Sequence, residues 1–275
     1  MNASAPAARI TANAPLVERA DHDGIALLVL NHPQTRNALS ESMIAALTDI
    51  FAEIAADRRV RAVVLTANGP AFCAGHDLKE ITTHRSDPDG GRAYMRELMA
   101  RCSSMMQLIH RLPQPVIAAV EGPATAAGCQ LVATCDLAVA SKTARFATPG
   151  VHIGLFCSTP MVALSRNVAP KHAMEMLLTG EMLSADDAYR IGLVNRVVAP
   201  GSERDEAMKL ARQIAAKSSM TVKLGKEAFY RQLDMSLAEA YRYANEVMVE
   251  NMMARDAQEG ISAFVEKRAP RWEDR

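Results

Sequence analysis

Two stretches of small residues could do chemistry with the backbone alone. Phe72-Cys73-Ala74-Gly75-His76-Asp77-Leu78-Lys79-Glu80 and Glu121-Gly122-Pro123-Ala124-Thr125-Ala126-Ala127-Gly128-Cys129-Gln130 each lead from an apolar run toward a helical pattern. A turn from strand into helix exposes N–H groups at the helix N-terminus, where they can hold a developing negative charge. Two such turns face to face would form an oxyanion hole. Close packing of strand on helix asks for the same residue types, so the turns alone leave both readings open. Titratable side chains flank the first turn as His76 and Glu80, and others stand further along the chain as His152, two residues past Gly150, and Cys157-Ser158. If residues 150–152 are extended, His152 shares Gly150's face and could act as a base. Glu80 reads first as a solvated helix residue, and Ser158 or Thr159 ahead of Pro160 as an N-cap.

Other chemistries lack their first requirement. The chain has no Gly-x-Ser-x-Gly, no His-Glu-x-x-His, no Walker lysine loop and no Gly-x-Gly-x-x-Gly. Lys plus Arg and Asp plus Glu both number 31, so net charge is zero. No basic field points to nucleic acid or an anionic membrane, and a small molecule or a second copy is the expected partner. No apolar run approaches the ~20 residues of a membrane span. The five cysteines, Cys73, Cys102, Cys129, Cys135 and Cys157, fit neither a disulfide framework nor a zinc site. No metal is expected, and a reducing, cytoplasmic setting is. Residues 1–15 are Ala-rich without a basic-then-apolar signal pattern and are expected to be flexible; a mitochondrial transit peptide is the lesser alternative.

The elements that must position the turns follow from periodicity. Gly24 to Asn31 and Val60 to Ala67 are short β-branched runs closed by His32-Pro33 and Asn68-Gly69-Pro70, and read as strands. Between them Met43, Leu47, Ile50, Phe51 and Ile54 recur at helical spacing behind Ser40, a good N-cap. A second helix, with Tyr94, Leu98, Cys102, Met105 and Ile109 on one face, precedes a strand over Pro115 to Val120. Leu137 to Ala140 and Arg145 to Ala147 are shorter strand candidates, and Thr82 to Gly91 reads as a mobile loop. From Pro160 the pattern is mostly helical, with Ser184 capping a helix that ends at Gly192 and longer helices from Arg204, Ser236 and Gln258. A division near residue 200 separates an α/β core from a helical C-terminal part.

The two turns, Phe146-Ala147-Thr148-Pro149-Gly150 through Gly154, and the tail Glu259 to Arg268 together resemble, in order and spacing, the crotonase (enoyl-CoA hydratase/isomerase) family over residues 15 to 272. The stretches Ala124 to Gln130 and Gly154 to Pro160 resemble one subgroup of it most. This resemblance implies a crotonase-like spiral of ββα units over 16–200, and a helical part over 201–275 that builds homotrimers or hexamers. It implies a coenzyme A thioester as substrate, with no permanently bound cofactor. The amides of Ala74 and Ala127 would hold the thioester oxygen. Arg36, Cys73, Asp77 and Leu78 would line the coenzyme A site, with Phe264 and Lys267 lent by a neighbouring subunit. Gln130 and Gly150 stand where hydratases of the family place two glutamates. Gln130 cannot transfer a proton and Gly150 has no side chain, so efficient hydration is not expected. The resemblance leaves two readings: an acyl-CoA enzyme with enolate chemistry, or a non-catalytic acyl-CoA-binding protein.

Overall fold

The computed structural model of the protein describes residues 14–275. Most of the N-terminus expected to be flexible therefore lies outside the described residues. The chain opens with an antiparallel hairpin, β1 (Val17–His22) and β2 (Ile25–Leu30). Asp23 and Gly24 turn it, both at positive φ (51° and 77°), which is the hand a two-residue hairpin turn requires. α1 (Glu41–Ala56) follows, capped by the Ser40 hydroxyl, which accepts from the Met43 amide. Next come β3 (Ala62–Ala67), the short α2 (Leu78–Thr83), the long α3 (Arg92–Arg111), β4 (Val116–Val120) and β5 (Pro123–Thr125). α4 (Ala127–Thr134), β6 (Leu137–Ser141), β7 (Arg145–Ala147), α5 (Pro160–Asn167) and α6 (Pro170–Thr179) continue the pattern. β8 (Leu183–Ser184), α7 (Ala185–Arg190), capped by Ser184, and β9 (Arg196–Val198) close it. Four helices follow: α8 (Glu203–Ala215), α9 (Ser219–Gln232), α10 (Leu237–Met253) and α11 (Arg255–Glu266).

The strands alternate between two sheets. The larger has the order β1-β2-β3-β4-β6-β9, parallel from β2 onward; the smaller is β5-β7-β8. Thus β4 and β6 lie in the large sheet, and β5 and β7 just after them lie in the small one, each pair leading into a helix. Cys73 bridges Ala124, so the stretch after β3 joins the small sheet in the same way. This is the expected spiral of ββα units. β2, β3 and β4 are almost wholly apolar because a parallel sheet is covered on both faces. One face packs Leu28, Leu65 and Val116 against α1 and α3. The other packs Leu27, Val64 and Ile117 against Ala207, Leu210 and Ala211 of α8. α8 lies beyond residue 200 and is still part of the core.

Thr82 to Gly91 is more ordered than the sequence suggested. α2 runs to Thr83, a 3₁₀ turn spans His84–Ser86, and the His84 ring stacks on Tyr94 at 3.6 Å. The C-terminal helices differ from the core, since α9 and α10 bury no residue at all. What holds α9 down is polar. The Lys226 ammonium donates to the Ile109 and Gln114 carbonyls and to Asp136 (2.7 Å), while the Tyr230 hydroxyl donates to the other Asp136 oxygen (2.8 Å).

Candidate active site

The two small-residue turns meet. Phe72 and Cys73 donate to the Pro123 carbonyl, Thr125 returns an amide hydrogen bond to the Cys73 carbonyl (2.9 Å), and the Thr125 hydroxyl donates to the Ala74 carbonyl (3.0 Å). Gly128 lets α4 start against this rung, because a Cβ there would lie 2.1 Å from the Cys73 oxygen. Gly75, at φ +93°, brings the first turn so close that a Cβ on it would stand 2.9 Å from the Ala126 Cβ and 3.3 Å from the Ala127 nitrogen. The second turn bends at Ala126 (φ 50°, ψ −120°), a conformation that favours glycine and costs an alanine about 1–3 kcal/mol. The Ala126 amide donates to the Ala147 carbonyl (2.9 Å), which holds the bend.

The geometry reassigns one donor. The Ala74 amide donates to the Arg36 carbonyl at 3.0 Å and is not free to hold a ligand oxygen. The free amides at the meeting point belong to His76, directly after Gly75, and to Ala127, the first residue of α4; neither has an acceptor among the described residues. The sequence could not reveal this, because Arg36 reaches Ala74 from a loop nearly forty residues away. Arg36 itself sits at φ 55°. Its neighbour Asn37, fully buried, holds that loop by accepting from His32 and donating to the Asn68 and Ala71 carbonyls. Asn37 was not singled out in the sequence, and its place beside the left-handed turn was the available signal.

The other residues fall into two groups. Gln130, one turn into α4, is buried, and its Oε1 has no hydrogen-bond partner. It lines a cavity of about 370 Å³ together with Met106, Val162 and Ala163. Gly150 does not have positive φ, yet a Cβ there would meet the Leu155 oxygen at 2.8 Å and the Cys157 sulfur at 2.9 Å. Cys157 therefore fills the space beside it. Burial pushes the Cys157 thiol up, so it stays protonated and is a poor nucleophile. His152 turns away. Residues Pro149–Ile153 form a 3₁₀ turn rather than a strand, and the His152 Nε2 lies 2.8 Å from the Thr179 carbonyl, against Gly180.

Cys73 is wholly buried with its thiol pushed up to about 12, so its part is to join the turns through its backbone. Asp77 caps α2 by accepting from the Lys79 and Glu80 amides, and Leu78 beside it is half exposed. Glu80 accepts from the Glu41 amide and thereby ties α2 to the start of α1, where the sequence had it solvated. Neither Ser158 nor Thr159 caps α5 through its hydroxyl. His76 presents Nδ1 to the Leu39 carbonyl at 3.3 Å, and burial lowers its pKa. Phe264 is 85% exposed on α11, and Lys267 ends that helix in a left-handed cap.

A spiral of ββα units whose two turns meet and leave two amides unpaired can be compared with known proteins. The enoyl-CoA hydratase/isomerase family matches residues 20–275. The chain belongs to this family. "Enoyl-CoA hydratase domain-containing protein 3, mitochondrial" of Rattus norvegicus is 48% identical over 257 residues, covering 94% of this chain and 84% of its own. The Homo sapiens protein of the same name is 48% identical over 250 residues, covering 91% and 81%. Its crystal structure superposes with a TM-score of 0.88 at 46% identity, over 94% of this chain and all of that one. A crystal structure of an enoyl-CoA hydratase from Mycobacterium smegmatis reaches 0.90 at 56% identity, over 94% and 99%. The Rattus norvegicus and Homo sapiens proteins carry the name of the subgroup whose resemblance was read from Ala124 to Gln130 and Gly154 to Pro160.

Proposed function

We propose that the protein binds acyl-CoA thioesters and stabilises a thioester enolate oxygen between the amides of His76 and Ala127. The observation behind this reading is that these two N–H groups, brought together by Gly75 and the bend at Ala126, lack acceptors among the described residues. Donors already in place at a developing oxyanion contribute roughly 3–4 kcal/mol each. The pair uses no side chain, so an alanine at position 127 can donate its amide as well as a glycine would. Arg36, exposed beside the first turn, suits the phosphates of coenzyme A, and no permanent cofactor is needed.

The proton-handling half is reduced. Gln130 keeps hydrogen-bonding capacity without an acidic proton, and Gly150 faces Cys157. We therefore assign enolate chemistry on acyl-CoA with weak hydration at most. The filled space beside Gly150 favours a second reading, an acyl-CoA-binding or regulatory protein without turnover. Incubating the protein with an acyl-CoA panel and identifying products by mass spectrometry separates the two. Water addition, double-bond shift, decarboxylation and hydrolysis each leave a distinct mass or isomer, and turnover no faster than in solvent would leave only the binding reading.

A homotrimer or hexamer is part of the proposal. Phe229, Leu237, Tyr241, Met248, Met253 and Phe264 are exposed on α9 to α11, and such a surface marks an association site. In such an assembly Phe264 and Lys267 would serve a neighbour's nucleotide end. A monomer by light scattering at micromolar concentration would refute this. The curated relatives bear mitochondrial names, which speaks against the cytoplasmic expectation. No helix among the described residues is long and apolar enough to cross a membrane. Residues 1–13, where a targeting segment would sit, are outside the described residues, and cell fractionation decides the compartment.

A further inference from the structure

Residues 269–275 fold back along α11 and tie it to the body. The Glu273 and Asp274 amides donate to the two carboxylate oxygens of Asp256 at 2.7 and 3.0 Å, and the Asp256 amide donates to the Arg275 carbonyl at 3.0 Å. The Arg271 amide donates to Glu259 at 2.8 Å, and the Trp272 ring lies against Gly260, where a Cβ would meet it at 3.2 Å. The same segment grips the link between α8 and α9. The Trp272 indole donates to the Ala216 carbonyl at 2.9 Å, and Asp274 accepts from the Ser219 amide at 2.8 Å. Asp274 also accepts from both terminal nitrogens of Arg61, at 3.0 and 3.1 Å. Arg61 stands just before β3, at the end of that strand opposite the first turn.

α11 is turned the opposite way from a helix that packs by its apolar side. Asp256, Glu259, Gly260 and Ala263 fall at the spacing of one helix face, and this face is the inward one, with Asp256 and Ala263 each 1% exposed. Ile261, Phe264 and Val265 form the outward face and are 58%, 85% and 73% exposed. The hydrophobic effect favours rolling those three side chains onto the body. Directional bonds must therefore fix the rotation of the helix about its axis, and residues 269–275 supply them. Without that segment both Asp256 oxygens would lose the amides they accept from, which makes the inward face costly to keep buried.

A second copy of this chain fits the face so presented. Its net charge of zero sets up no overall repulsion between copies, and the adjoining α10 likewise exposes Met248, Met252 and Met253. We infer, resting on the assembly reading above, that residues 269–275 are a strap that sets the roll of α11 and keeps Ile261, Phe264 and Val265 turned outward for that second copy.

Trp272 is the chain's single tryptophan, so its emission reads the strap directly. Asp274→Ala removes the hydrogen bonds to Arg61 and Ser219 at an exposed position, and the emission should move to longer wavelength. By deuterium exchange and mass spectrometry, the amides of α11 should exchange at least about tenfold faster in this variant while β2 to β4 keep their rates. Light scattering at a concentration where the natural chain assembles should then show smaller species. Unchanged exchange of α11 in both Asp274→Ala and Asp256→Ala would overturn the strap, and so would exchange that quickens equally in β2 to β4. A loosened α11 with the assembly intact would overturn the role of the outward face. A natural chain that is monomeric at micromolar concentration would sink the assembly reading and the second copy with it, while exchange still decides whether the strap holds the helix. If Asp256→Ala does not fold by circular dichroism, Arg61→Ala carries the same comparison from the side of the body.

Discussion

The two turns that meet at the site each present one unpaired amide and reach that result by different means. The first uses Gly75 at φ +93°, where glycine bears no strain, and occupies its neighbouring amide, Ala74, with the Arg36 carbonyl. The second forces Ala126 to φ 50° and holds it through the Ala147 carbonyl and the Gly128 contact. A free donor is therefore a property of the surrounding hydrogen bonds, and the motif alone does not locate it. The same comparison extends to the side chains, since the second turn carries the buried Gln130 and the first contributes only backbone.

The largest expected effect concerns that asymmetry. Crotonyl-CoA hydration by the unaltered protein should fall at least ~10³-fold below a two-glutamate site, equivalent to about 4 kcal/mol of barrier. Gln130→Glu should raise it, whereas adding Gly150→Glu should help only together with Cys157→Gly, because the Cys157 sulfur occupies the needed space. Steady-state absorbance assays check both statements, and fast hydration by the natural chain would refute the first. Next in size is Gly128→Ala. Its Cβ would strike a backbone oxygen, so about 3 kcal/mol or more of urea-unfolding stability should go, and with it thioester binding.

Gly75→Ala breaks the strain-free turn. It meets both an unfavourable φ and the Ala126 methyl, and a loss of about 2 kcal/mol is expected by the same unfolding measurement. Ala126→Gly sharpens the contrast from the other side: relieving the strained bend should stabilise the fold by about 1 kcal/mol, read as a melting temperature higher by a few degrees, less whatever unfolded-chain entropy glycine adds. An unchanged or lower melting temperature would show the strain to be absorbed elsewhere.

The smallest effect is on pH. Burial lowers the folded-state pKa of His76 below 6.5, so the unfolded chain binds the proton first as pH falls. Above about 6.5 both states are neutral and nothing changes; below it, stability declines until the folded-state pKa is passed. Urea unfolding at pH 7.5 and 5.5 should reveal a decrease on the order of 1 kcal/mol or less that shrinks in His76→Gln. His110, also lowered by burial, contributes the remainder.

Much of this was legible in the sequence where local physics decides. Continuous apolar runs marked β2, β3 and β4, and Ser40 and Ser184 were correctly read as caps. β1 escaped because Val17 to His22 is largely polar at the sheet edge, although Asp23-Gly24 signalled its hairpin. His152 was misplaced by assuming extended backbone at Pro149–Ile153.

The Lys226–Asp136–Tyr230 anchor has a consequence for association kinetics. Each of the three ammonium hydrogens of Lys226 has its own acceptor in the core, so α9 is oriented by directional bonds and not by burial of its apolar side. Those apolar residues stay turned outward before any partner arrives. If the proposed assembly forms, docking onto them requires no ordering of the helix at the moment of contact, and encounter should be governed by diffusion and orientation, with a rate constant nearer the ~10⁵–10⁷ M⁻¹s⁻¹ of preformed surfaces than the slower values of coupled rearrangement.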